Sequence, residues 1–150
     1  MNKSYYKDGF TPDTNVLGSG LRKFTSAAVT ITKGQALHDD TAGLATNATT
    51  AFANTFLGIA AHSSTSGEDI LVIPPRQGYK FWVKVENDEV LDQSNVGEIC
   101  DLHANDSIDI SDNTCVAWGC QIIAIDISTD SIASNTYGYA KVQFVVMDQD

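Results

Sequence analysis

From residue 24 onward, apolar side chains recur at every second position in short runs, and polar turns separate the runs. That period belongs to half-buried strands. It is clearest over 79–86, YKFWVKVE, where Tyr79, Phe81, Val83 and Val85 fall on one face. Lys80, Trp82, Lys84 and Glu86 fall on the other, so Trp82 must be covered by a loop or by a partner. FTSAAVTI over 24–31 is rich in β-branched residues and predicts a strand. Gly34 opens a second short run, Gln35 to His38, and Asp39, Asp40, Thr41 and Gly43 make the turn after it. Between 44 and 61 two periods compete. Leu44, Ala48, Phe52 and Phe56 would share one helical face, whereas Thr46, Thr49, Thr50 and Thr55 favour extended backbone. The threonines decide for a loop followed by a strand over about 51–61.

Further on, Ile70 to Ile73 predicts a strand that Pro74-Pro75 must stop, because neither proline has an amide hydrogen for the ladder. Short strands follow over 97–102 and 107–111. The most apolar run, 116–127, reads as a central strand bent near Gly119, and 137–147 as a last strand. About eight short strands with no convincing long helix predict an all-β domain, a compact barrel or sandwich. No internal repeat of fixed period is visible.

Residues 1–23 break this pattern. They carry few aliphatic side chains, and Tyr5, Tyr6 and Phe10 are their only large rings. The segment predicts an extended N-terminal arm ahead of a single domain over 24–150, with the three rings as anchors on a neighbour.

Charge sharpens the division. The 150 residues hold 9 Lys and Arg against 19 Asp and Glu, a net charge of −10. The first 23 are net positive, with Lys3, Lys7, Arg22 and Lys23 against Asp8 and Asp13. The body lacks the positive potential of a nucleic-acid groove. No uninterrupted apolar stretch approaches about 18 residues, so no membrane-crossing helix is expected. The start, MNKSYYKDGF, has no apolar h-region, so cytoplasmic synthesis is expected.

Candidate chemistry is sparse. His38, His62 and His103 show no metal-ligand spacing, and Cys100, Cys115 and Cys120 fit neither a zinc ribbon nor an even-numbered disulfide framework. The expectation for the cysteines is buried, reduced thiols. G-x-S-x-G, G-x-G-x-x-G and phosphate-loop signatures are missing. No catalytic residue, metal site or cofactor is assigned, and the chain is expected not to be an enzyme. The run 86–112 holds nine acids and no Lys or Arg. It reads as solvated, with a calcium site at Asp106, Asp109 and Asp112 or a basic partner as alternatives.

The run KGQALHDDTAGLATNATTAFANTFLGIAA, followed by VGEICDLHANDSIDI, VAWGCQIIAIDIS and a closing VQFVVM, resembles the small decoration, or cement, proteins of tailed-bacteriophage capsids. The resemblance spans about 24–147. It implies a structural β domain on the outer surface of the virion head, often a trimer. It also implies binding to the major capsid protein through the N-terminal arm. On this chain the contacts would be Tyr5, Tyr6, Phe10, Arg22 and Lys23. Two other readings stand beside it. A fibre-head or carbohydrate-binding β module would stack sugars on Trp82, Trp118, Tyr137 and Tyr139. A small metal-dependent hydrolase or lyase on a β barrel would need a histidine beside a carboxylate.

Overall fold

The computed structural model describes residues 9–13, 20–40, 42–48, 55–76, 78–86, 90–115, 117–127 and 137–147. They form eleven strands: β1 (Thr11–Pro12), β2 (Arg22–Thr25), β3 (Ala36–Asp39), β4 (Ala45–Asn47), β5 (Phe56–Ala60), β6 (Asp69–Ile73), β7 (Lys80–Glu86), β8 (Ile99–Ala104), β9 (Ser107–Asp109), β10 (Trp118–Asp126) and β11 (Tyr139–Val146). A 3₁₀ turn, Gln93–Asn95, is capped by Asp92. The class is all-β, in two sheets. No helix among the described residues is long and apolar enough to cross a membrane.

Each sheet returns on itself. In the second half of the chain the order is β7-β11-β10-β8-β9, and β9 pairs with β7 again, in parallel. In the first half the order is β2-β6-β5-β3-β4. There a parallel bridge from Ser26, just past β2, to Ala45 of β4 completes the circuit. All other pairings in both rings are antiparallel. Matching β2 to β7, β3 to β8, β4 to β9, β5 to β10 and β6 to β11 makes the two circuits identical. The local bonds repeat as well. Gly34 N–H donates to Ala60 O at 2.9 Å, and Ala60 N–H donates to Gln35 O at 2.9 Å. Gly97 N–H donates to Ile122 O at 2.7 Å, and Ile122 N–H donates to Glu98 O at 2.9 Å. A repeat invisible as a sequence period is therefore present as topology.

Alternation divides the apolar residues between two clusters. Leu37, Ala60 and Val72 point into the first ring with Ile31, Ala45 and Ile70. Their chain neighbours Ala36, Ile59 and Ile73 point the opposite way, into the larger cluster that fills the second ring around Phe81, Val83, Leu102, Ile122 and Phe144. The first sheet is thus covered on both faces, and residues of both halves meet in the larger cluster. In β7 the burial alternates along its full length, as its sequence predicts. The strand expected over 24–31 is shorter: β2 stops at Thr25. Ser26 is buried there, and its hydroxyl donates to the carbonyls of Thr65 and Glu68.

The N-terminal residues belong to this core. Gly9 lies so close to Gly34 that a Cβ on it would meet the Gly34 carbonyl oxygen at 2.6 Å. Phe10 N–H donates to that same oxygen at 2.7 Å. The Phe10 ring is 0% exposed and packs on Phe81 and Phe144, at 6.2 and 5.6 Å between centroids. β1 then pairs with β7. Phe10 is therefore not an anchor on a neighbouring chain. It joins the first half, through Gly34, to the rings of the second. The boundary at residue 23 moves too, since β1 and β2 are strands of the body.

Candidate interaction groove

The proline pair that stops β6 also shapes a groove. With no amide hydrogens at Pro74 and Pro75 the ladder ends, and the chain turns back on itself with Arg76 N–H bonded to Pro74 O at 2.8 Å. Arg22 opens β2 opposite Val72, near the end of the same strand, so the register brings both arginines to this corner. They are the only arginines in the chain. Arg22, Arg76, Phe56, Leu57, Pro74 and Trp118 line a hollow of about 250 Å³. A second hollow of about 270 Å³ shares Trp118 and Pro75 with it and is bounded by Phe144, Val145 and Val146.

Both halves of the chain contribute to this floor. Phe56 and Leu57 open β5, Trp118 opens β10, and Val146, 71% exposed, faces Trp118 across the β10–β11 ladder. The Trp118 indole meets the Phe56 ring edge-on, with centroids 6.0 Å apart. A bulge sets the exposure of Leu57. β3 pairs Leu37 with Gly58 and His38 with Phe56, so Leu57 is the extra residue.

The expected contact residues separate. Tyr5 and Tyr6 lie outside the described residues. Arg22 and Lys23 are exposed on β2, and Lys23 is paired to Asp69 at 3.1 Å. Of the expected contacts among the described residues, Arg22 alone lines the groove.

Elsewhere, His62 and several of the acids are held by local structure. His62 accepts the Leu71 N–H on Nε2 at 3.0 Å, so its neutral ring carries the proton on Nδ1, which reaches Ser63 O at 2.9 Å. Asp109 accepts from Ser111, Asp112 accepts from Thr114, and Asp106 pairs with Lys84 at 3.6 Å. Among the described residues no group of three His, Cys, Asp or Glu side chains is placed to hold a metal. Cys100 and Cys120 are buried partners on β8 and β10. Burial pushes both thiols well up, and it pushes Cys115 up to about 11, so all three are protonated at neutral pH and poor nucleophiles.

The four rings considered for sugar stacking do not share an exposed platform, since Tyr139 is 2% exposed. Trp82 is covered from within: its Nε1–H donates to Asp13 Oδ1 at 3.0 Å, and Lys141 Nζ lies 6.0 Å from its ring centroid. The sequence reading missed Arg76 and the groove. Its one local signal was an arginine directly after a strand-ending proline pair.

A scan against protein-family models found no match, and neither did a search of curated proteins.

Proposed function

We propose that this chain is a structural decoration protein of a tailed-phage head, binding the outer surface of the shell and holding neighbouring capsomers together. The observation that carries the reading is the polarity of the folded body. A chain of net charge −10 places both its arginines on one apolar groove beside Trp118. An aromatic centre rimmed by arginine suits docking on a protein, and the acidic remainder keeps crowded copies apart and turns away nucleic acid. The resemblance over 24–147 supplies the partner, the major capsid protein, and a homo-oligomer, with a trimer as the form it implies. Tyr5, Tyr6, Arg22 and Lys23 stay as proposed contacts, with Phe10 removed from that set. The shared core makes the body a rigid block, which is what a clamp across a strained shell needs.

Co-sedimentation with heads lacking the protein, followed by electron microscopy, tests this. The expected result is saturable binding and added density on the outer surface. Heads that pellet without the protein, or carry it without external density, would overturn the reading.

A further inference from the structure

We infer that the groove takes an extended, carboxylate-bearing apolar segment of the partner protein, with Arg22 and Arg76 holding the carboxylates and Trp118 bedding the apolar side chains. The inference rests on the docking reading above for which protein supplies the segment. Its chemistry is argued from the groove.

Charge complementarity sets the first requirement. Lys23, Lys84 and Lys141 each reach a carboxylate of this chain, at 3.1, 3.4 and 2.8 Å. Neither arginine is ion-paired among the described residues, although acids outnumber bases by 19 to 9. Two unpaired guanidiniums on one hollow offer two planar forks to an outside anion, and a carboxylate matches that fork with two parallel hydrogen bonds. The floor sets the second requirement. Apart from the Trp118 indole N–H, the side chains of Phe56, Leu57, Pro74 and Trp118 are apolar and reward an aliphatic side chain. The division of the groove sets the third. Each hollow falls below the roughly 300–1,000 Å³ of a small-molecule site, and the two adjoin across Trp118 and Pro75. Two side-chain-sized hollows suit alternate residues of an extended segment, which project to the same side.

Fluorescence of Trp118 in the full chain tests this, with Trp82→Phe removing the other indole. One probe is an acetylated, amidated heptapeptide, Glu-Ser-Leu-Ser-Glu-Ser-Leu, whose glutamates and leucines occupy alternate positions and so project to one side when extended. The others are the same peptide with glutamine for glutamate, and inorganic phosphate. The glutamate peptide should bind saturably and more weakly at high salt. Binding should fall about tenfold with the glutamine peptide, and about tenfold in Arg22→Ala and in Arg76→Ala. Arg76→Lys should fall between, because it keeps the charge and loses the fork. Circular dichroism must show each variant folded. Equal binding of the two peptides would overturn the inference, as would no saturable response. So would an equal response to phosphate, or self-association that blocks the peptide and makes a second copy the occupant. Heads separate the two proposals. Peptide binding without head binding removes the capsid reading alone, whereas head binding unchanged by both arginine substitutions removes this inference alone.

Discussion

Phe10 sits in a polar, glycine-containing stretch, and nothing around it in sequence marks it as core. Burial of a ring is legible when its neighbours alternate with it, and β1 is only two residues long. Its partners Phe81 and Phe144 come from distant strands, so only the fold identifies them. Phe10→Ala should cost about 3–5 kcal/mol, the usual range for emptying a phenyl site in a core. Urea denaturation would show it, and a loss below about 1 kcal/mol would mean that the ring is not part of the core. Deleting residues 1–20 should destabilise the body likewise, because it removes the same ring. Asp13, three residues on, behaves differently. Its carboxyl is held below the usual carboxylate range, chiefly by the hydrogen bond from Lys141 and then by that from Trp82, partly offset by burial. A depressed value in the folded state means stability that is full above the unfolded value of 3.8 and lost as pH falls through the folded one. Asp13→Asn should therefore flatten part of the stability loss below about pH 4 while leaving the neutral-to-basic slope unchanged. Denaturation midpoints against pH would check this, and an acid slope identical to that of the parent chain would refute it.

At the scale of strands, the regular stretches were legible and the bulges were not. β7 reads straight off its alternation, and Pro74-Pro75 ends β6 where the chemistry requires. Leu57, His103 and Ile123 are each an extra residue in a ladder, and each shifts the register beyond it. A bulge leaves no fixed composition, so nothing in the run 116–127 announced the register shift at Ile123. Gly58, beside the first bulge, shows what holds that ladder. Its φ is +131°, and a Cβ there would stand 2.0 Å from the Ile73 carbonyl oxygen, so an added methyl must part β5 from β6. Gly67 has a positive φ, +79°, with nothing within 4 Å. Gly67→Ala thus measures backbone strain alone, about 1 kcal/mol. Gly58→Ala adds the collision and should cost at least about 3 kcal/mol. Thermal melts of the two variants would compare them directly, and equal losses would show that β5 and β6 can separate freely.

The duplicated topology is the largest feature the sequence hid. Ring interiors constrain side chains to be apolar and of suitable size, without fixing their identity. The first ring is filled by Ile31, Leu37, Ala45, Ala60, Ile70 and Val72, and the second by larger residues such as Phe81 and Phe144. What repeats is backbone bonding, at Gly34-Gln35 and again at Gly97-Glu98, and two dipeptides carry too little information to announce a repeat. Two similar rings invite the idea of two folding units, and the core argues against it. Ala36, Phe56, Ile59 and Ile73 of the first half belong to the same cluster as the interior of the second. Separation would expose these residues together with Phe10, which contacts both halves, at roughly 25 cal/mol for each Å² of apolar surface bared. The chain should therefore unfold in one cooperative step, with the calorimetric and van't Hoff enthalpies equal and near 100 kcal/mol, as expected at about 0.7 kcal/mol per residue. The two halves made as separate chains should each lack cooperative melting and should recover it on mixing. Two resolved transitions in the intact protein, or a first half that melts cooperatively alone, would show that the rings are independent and that the groove between them is a hinge rather than a fixed surface.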